Sequence, residues 1–462
     1  MDALTTPGTG LALAAHRHPL TDALLTRHVR ALQALSGGLG SPLHVLLPQV
    51  FAENLGQFKA LFADYGIDAS LLFAKKANKA ACFARSCAEQ GMGVDVASRE
   101  ELVKALAAGI KGEQIGVTGP QKTAGLLTLA LQQRCLIAID SADELRHLVA
   151  LASQWRQPAR VLLRLRIDSQ PHSRFGLNEQ QCQAALALCL AHTDVIDLHG
   201  FAFHLSGYAI AERAAAASAL IDRCLHARAL GLQNCRHLNI GGGLPVQYVD
   251  PEQWQRFLAQ DVPAHYQAGK TFSGFYPYGV SRAGAHALRD LLDHRLDDGQ
   301  SLARRLREHG LGLIVEPGRA LLDQAGFSLF TVQGVKDRPL PEGAVVTVQG
   351  SSLSLSEQWF NSEFLPDPVL LGEETGSPLF YASVGAATCL ESDMLTWRRI
   401  GFTRPLKVGD RLVYLNTAGY QMDSNESSFH EAAIPEKVVI RLANDELRWQ
   451  LDRLDTDLTH DH

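Results

Sequence analysis

The sequence predicts an α/β fold: a (β/α)8 barrel of the TIM type followed by a smaller β-rich domain. Two observations predict it. From about Pro48 to Gly326, short apolar runs alternate with Ala/Leu-rich stretches of helical period, the pattern of parallel strands joined by crossover helices. From about Phe327 the helical period largely vanishes and short β-rich pieces take over.

The strand-like runs are Leu71–Ala74, Gly93–Val96, Ile115–Thr118, Leu136–Asp140, Val161–Ile167, Gly200–Leu205, Leu238–Ile240 and Leu313–Glu316. Eight such strands close a barrel, which carries its chemistry at their C-terminal ends. Strong helical stretches lie between them at Ser98–Ala108, Gln180–Leu190 and Ala211–Leu230. The later β pieces are Phe327–Gln333, Ala344–Gln349, Leu379–Ser383, Arg411–Leu415 and Lys437–Arg441. The segment from about Gln267 to Gln300 is long for a barrel connection. It reads as an insertion near the site or a dimer contact, or as a plain surface excursion.

Composition narrows the function. At 462 residues the chain can form two domains and a large core. A net charge of −6 gives no nucleic-acid footprint. The eight cysteines have neither CxxC pairs nor metal spacing. Residues 1 to about 18 lack a charged region followed by an apolar core. Free thiols, no metal and a cytoplasmic location are the expectation. No apolar run approaches the roughly 20 residues of a membrane span.

Four motifs carry chemistry. Lys76, in Phe73-Ala74-Lys75-Lys76-Ala77-Asn78, ends an apolar strand. Desolvation at such a mouth favours a neutral, nucleophilic amine, as a Schiff base with pyridoxal phosphate requires. The same pattern also describes a solvated strand end. Gly241, Gly242 and Gly243 follow the apolar Leu238 and Ile240. Without Cβ atoms their N–H groups can converge on a phosphate, although a tight turn would read alike. The spacing is not G-x-G-x-x-G. In Leu313-Ile314-Val315-Glu316-Pro317-Gly318-Arg319, Glu316 can pair with a protonated pyridine nitrogen. Gly318 and Arg319 can then hold phosphate; alternatively, Glu316 and Arg319 form a loop ion pair. His204 sits in the alternating Gly200-Phe201-Ala202-Phe203-His204-Leu205. Its flat ring can stack on a cofactor or serve as a core histidine.

In this order, and with Cys389 and Tyr420 after them, these residues resemble the fold-type III pyridoxal-phosphate decarboxylases: the diaminopimelate, ornithine and arginine decarboxylases and their relatives. The resemblance runs from about Ser41 to about Ser424. It implies the alanine-racemase-like architecture, with an N-terminal segment 1–47 contributing to the β domain, a cofactor-binding barrel at 48–326 and a C-terminal β domain at 327–462. It places the covalent cofactor on Lys76 rather than Lys75. It adds Asp95, in Val94-Asp95-Val96-Ala97-Ser98, and Arg164, in Val161-Leu162-Leu163-Arg164, to the cofactor set. Ser173-Arg174-Phe175-Gly176-Leu177 matches the family's Ser-Lys-Phe-Gly segment. It further implies a homodimer with shared sites, in which Cys389 reaches the partner's site and returns a proton after CO2 leaves. A thiol of pKa about 8.5 is a competent acid for that step. Tyr420 would touch phosphate or substrate, and Glu391 and Asp393 would line the substrate site.

The chain departs from the family at several points. His204-Leu205-Ser206-Gly207 replaces His-Ile-Gly-Ser, displacing the phosphate-binding serine. Cys-Glu-Ser is stretched to Cys389-Leu390-Glu391-Ser392. No Lys or Arg lies between Arg338 and Arg398, where a diaminopimelate-type enzyme carries its clamp for a distal carboxylate. Glu357, Glu363 and Asp367 lie there instead, either as surface acids or as a pocket for a distal amine. The expectation is a decarboxylase of an amino acid or amino-acid conjugate. The alternatives are a racemase or epimerase of the same fold, disfavoured by Glu316 at the ring nitrogen, and a noncatalytic relative.

Overall fold

A computed structural model describes residues 11–339, 342–355, 361–373, 376–424 and 427–453. The chain divides into two compact units. One takes in Asn54–Leu244 and Gly284–Leu321; the other takes in residues up to Glu53, Pro245–Ala283 and Leu322–Asp452.

The first strand, β1 (Leu43–Leu46), belongs to the second unit. The first unit is a closed barrel of β2 (Ala69–Ala74), β3 (Gly93–Val96), β4 (Ile115–Val117), β5 (Leu136–Ile139), β6 (Ala159–Arg164), β7 (Ile196–Ala202), β8 (His237–Asn239) and β9 (Gly312–Val315). All neighbours are parallel, and β9 returns to β2 with Leu71 opposite Val315. The strands are apolar because helices cover the barrel outside and side chains fill it inside. The helices begin where sequence supplies caps. Ser98 accepts from Glu101 N at 3.1 Å to start Arg99–Ala107. Asn178 and Gln181 form a reciprocal capping box that starts Glu179–Ala191. These strands coincide, within a few residues at each end, with the runs read from sequence.

The second unit is built on a nine-stranded sheet. Its later strands are β10 (Gly326–Lys336), β11 (Ala344–Val348), β12 (Val369–Leu370), β13 (Phe380–Gly385), β14 (Met394–Phe402), β15 (Arg411–Leu415), β16 (Glu436–Ala443) and β17 (Glu446–Leu451). The main order is β14-β13-β11-β10-β1-β16-β17, and β15 pairs with both β10 and β12. Strand β1 lies antiparallel to β10 and parallel to β16, which ties the N-terminal region into this sheet.

Segment Pro245–Ala283 clusters with the sheet unit, whereas the sequence expectation ran the barrel without interruption from 48 to 326. Aromatic burial is the cause. Tyr248, Trp254, Phe257 and Tyr278 are buried in the sheet unit's core together with Phe364. Tyr278 meets Phe364 edge-on at 5.6 Å and Trp254 at 5.8 Å, the geometry that ring quadrupoles favour. Of the first part of the expected insertion, Tyr278 is buried in that core, and Phe275 and Tyr276 pack against it. The insertion's remainder includes the helix Gly284–Asp293 and lies in the barrel unit.

Seven of the eight cysteines are buried and Cys389 is exposed. Among the described residues no helix is long and apolar enough to cross a membrane, and no group of three potential ligands could hold a metal.

Candidate active site

The two lysines ending β2 sit in a short turn, Lys75–Ala77, and face different surroundings. Lys75 is 1% exposed and donates from Nζ to Lys79 O at 3.1 Å. Its charge acts on the buried Cys87 thiol of the following helix. Lys76 is exposed, and its charge acts on Asp95, Glu316 and His204. The desolvation expected of Lys76 belongs to Lys75. Lys76 is instead the lysine that shares the electrostatic field of the other expected site residues.

Two carboxylates are buried there. Glu316, just beyond β9, accepts from Asn239 Nδ2 at 2.5 Å. Burial raises its pKa; the Asn239 bond, Lys76 and Arg164 pull it down without cancelling the rise. Asp95 on β3 accepts from Thr118 Oγ1 at 2.7 Å. Burial lifts its carboxyl well above the usual range and Glu316 lifts it further, against the pull of Lys76 and Thr118. Two buried acids that disfavour each other's charge hold protons more readily than exposed ones.

His204 lies just past β7 and presents exposed surface. Desolvation by the protein packed around it, then the cations Lys76, Arg164 and Arg213, push its imidazole down to about 3. A neutral, flat ring is the result. Arg164 ends β6, lies 4.5 Å from the Phe175 ring centroid and bonds Asp140 Oδ1 at 3.2 Å. The same Asp140 oxygen accepts from Gly176 N at 3.1 Å. The Ser173–Leu177 segment is thus anchored beside Arg164 by one carboxylate, a role that sequence reading did not assign to Asp140.

The glycine loop leaves β8 with Gly241 at φ 66 and Gly243 at φ 75, where side chains are strained. Space is equally decisive. A Cβ at 241 would meet His204 Nδ1 at 2.7 Å, one at 242 would meet Glu316 O at 2.5 Å, and one at 243 would meet Arg213 Nη2 at 2.6 Å. The loop is joined to β9's end by Glu316 N donating to Gly241 O at 2.9 Å. Gly318 is buried and Arg319 partly buried in the turn that follows. The mouth of the barrel therefore gathers Lys76, Asp95, Arg164, His204, the glycine loop and Glu316. Asn239, Thr118, Asp140 and Arg213 support them and were missed in sequence. Only Asn239, beside the glycine motif, carried a visible signal there.

The remaining expected residues lie in the sheet unit. Cys389 is exposed in the turn between β13 and β14, with Sγ 3.2 Å from His430 Nε2. Glu391 is exposed beside it. Asp393 differs from its expected substrate contact. It is buried and accepts from Ser352 N at 2.8 Å, Thr388 N at 3.2 Å and Thr388 Oγ1 at 2.5 Å. Those bonds fold the turn that carries Cys389. Tyr420 is half-buried at φ 74, and its carbonyl accepts from Ser424 Oγ at 2.9 Å.

The acidic pocket considered for a distal amine does not form from Glu363 and Asp367. Glu363 is buried and accepts from Trp397 N at 2.7 Å, and burial pushes its carboxyl up to about 7. Asp367 pairs with the fully buried Arg398 at 2.5 Å. Both are core groups, and Glu357 lies outside the described residues.

Residues 51–271 match the family model for the pyridoxal binding domain of pyridoxal-dependent decarboxylases. A Sinorhizobium fredii protein, uncharacterized protein y4yA, is 36% identical over 421 residues, covering 90% of this chain and 91% of that one. This chain belongs to the fold-type III pyridoxal-dependent decarboxylases. Within the family, Bacillus methanolicus diaminopimelate decarboxylase is 23% identical, over 78% of this chain and 79% of that protein. The fold is shared with M. jannaschii diaminopimelate decarboxylase in complex with L-lysine, at TM-score 0.71 and 17% identity over 93% and 94% of the chains. It is also shared with the Paramecium bursaria Chlorella virus arginine decarboxylase bound to agmatine, at TM-score 0.67 and 19% identity over 89% and 98%.

A carboxy-lyase of this family uses pyridoxal phosphate, and the barrel mouth fits that group. The glycine loop is a cradle that any Cβ would obstruct. The donor set combines an exposed lysine, buried acids and a neutral imidazole.

Proposed function

We propose that this decarboxylase acts on an amino acid or amino-acid conjugate that lacks a distal carboxylate, through a homodimer with shared sites. The grouping of Lys76, Asp95, His204 and Glu316 around the glycine loop carries the reading. Lys76 would hold the cofactor covalently through its side-chain amine. The glycine loop, Gly318, Arg319 and Tyr420 would bind its phosphate, and His204 would offer it a flat, neutral ring. Glu316, as the carboxylate, would pair with a protonated ring nitrogen, whose positive charge would offset the burial that raises the pKa of both Glu316 and Asp95. Arg164 would add a cation to the cofactor site. When bound, the cofactor supplies the electron sink for the pair left by departing CO2.

Cys389 of the partner subunit then gives its thiol proton to the carbon that lost CO2. His430, 3.2 Å from that sulfur in its own chain, returns a proton to the thiolate and is itself reprotonated by solvent. Glu391 faces substrate from the same turn.

The substrate class rests on cations. Arg398 is engaged with Asp367 and with Leu365 O at 2.7 Å. Arg399 donates to Ala264 O at 2.7 Å and Glu342 O at 2.9 Å. Neither arginine is disposed to clamp a carboxylate, and burying one unpaired would cost on the order of several kcal/mol. A panel of amino acids monitored for CO2 release tests the reading. Turnover is expected for a substrate with a distal amine or an uncharged group. Efficient decarboxylation of meso-diaminopimelate would overturn the substrate assignment, and inverted amino acid without CO2 would overturn the reaction.

A further inference from the structure

Arg213 stands in the first turn of the helix Ile210–Ala229 and is 3% exposed. Its guanidinium ends on five backbone carbonyls. Nη1 donates to Ile240 O and Gly242 O, both at 3.0 Å. Nη2 donates to Gly207 O at 3.1 Å, and to Leu205 O and Gly243 O at 3.3 Å. One side chain thus joins the loop that carries His204 to the glycine loop.

Two consequences follow. A trans peptide points its N–H opposite to the carbonyl of the preceding residue. With the carbonyls of 240, 242 and 243 held toward Arg213, the N–H groups of 241, 243 and 244 are turned away from it. That of Gly241 bonds Asn239 Oδ1 at 2.9 Å, so those of Gly243 and Leu244 are the ones presented. Secondly, all five acceptors are neutral. Carbonyl dipoles solvate the buried cation without discharging it, and a positive charge remains behind the loop. Such a cation, with aligned N–H groups in front, suits a dianion.

We propose that Arg213 is the positioning residue of the phosphate site: it sets the direction of the glycine-loop N–H groups and supplies a buried charge to the cofactor's phosphate. Gly243 is glycine because the guanidinium occupies the space its Cβ would need, Nη2 being 2.6 Å from that point. The inference rests on the reading that the glycine loop binds phosphate.

The test compares pyridoxal phosphate with pyridoxal, which has no phosphate. Each is added to apo-protein and followed by the absorption of the lysine-bound cofactor. Wild type, Arg213→Met, Arg213→Lys and Gly243→Ala are measured, with thermal unfolding of each apo-protein as a control. The expected result is a loss of roughly tenfold or more in affinity for pyridoxal phosphate, the size of a lost charge-assisted contact. Pyridoxal affinity should stay within about twofold of wild type. Arg213→Lys, which keeps charge but not the five-donor fork, should fall between. Gly243→Ala should behave like Arg213→Met by displacing the guanidinium.

Equal losses for the two ligands would assign Arg213 to fold maintenance and overturn the proposal, as would an unchanged ratio in Arg213→Lys and Gly243→Ala. A separate outcome addresses the underlying reading. If wild type itself binds pyridoxal as tightly as pyridoxal phosphate, the glycine loop is not a phosphate site.

Discussion

At the scale of single residues, adjacent lysines have opposite environments. Lys75 is buried and bonded to its own turn, while Lys76 is exposed and acts electrostatically on Asp95, Glu316 and His204. Lys76→Ala should abolish the absorption band of lysine-bound cofactor, and Lys75→Ala should retain it. The opposite spectra would move the attachment by one residue. Glu316 is buried and bonded to Asn239, so Glu316→Gln preserves size and that contact while removing charge. It should lower kcat roughly a hundredfold, the scale of losing one preorganised electrostatic partner, and leave cofactor affinity nearly unchanged. Equal losses in both would assign Glu316 to binding alone.

At the scale of elements, two local arrangements have measurable consequences. The β13–β14 turn is folded on Asp393, whose carboxylate accepts from Ser352 and Thr388. Asp393→Asn replaces one acceptor oxygen with a donor amide. Displacing Cys389 in this way should lower kcat roughly ten- to hundredfold without changing the cofactor spectrum, as stopped-flow and absorbance would show. Strand β1 carries His44 opposite Ser328 of β10 and Lys437 of β16. His44 Nδ1 is 2.8 Å from Ser328 Oγ, which meets Thr417 Oγ1 at 2.8 Å. Burial first, then Lys437, hold the imidazole down to about 3, against the pull of Asp423. The folded state therefore binds fewer protons than the unfolded state, where histidine titrates near ~6.5. This contribution to stability is fully present above that value and is lost as pH falls from it toward about 3. In urea unfolding at pH 7 and pH 5, His44→Asn should be less stable at pH 7 and show a flatter decline with acid. Parallel declines would show that His44 does not govern the acid response.

At the scale of the whole molecule, the expected catalytic groups divide between a barrel and a sheet unit. In the proposed dimer, Lys76 and Cys389 of one chain serve different sites. Mixing Lys76→Ala with Cys389→Ala chains then leaves one intact site in each mixed dimer. With random exchange, half the dimers are mixed, and activity should recover to about a quarter of wild type. No recovery after verified exchange would argue that each site is built from one chain. The longest-range packing also decides which residues are free to act: Glu363 and Asp367 lie in the gap where a substrate clamp was sought, yet both are consumed by the core around Arg398.

The barrel was legible because its signal is local: an apolar strand, a capped helix and the next strand repeat within a few dozen residues. Its active-site candidates were legible because they end those strands. The β1, β14 and β17 strands were less so. Strand β14 carries Arg398 and Arg399, β17 is largely exposed, and β1 is only Leu43–Leu46, so none stands out by its apolar pattern. What only tertiary structure decided is which side chains meet. Arg213 lies near the glycine loop because β7 and β8 are neighbours, and Asp393 braces a turn through a serine 41 positions away. Segment 245–283 left the barrel because its aromatic rings found their partners in the sheet unit. Period and propensity are properties of short windows of chain. The burial of a charge, and the groups that compensate it, depend on contacts between residues far apart in sequence, and these are fixed only when the chain packs.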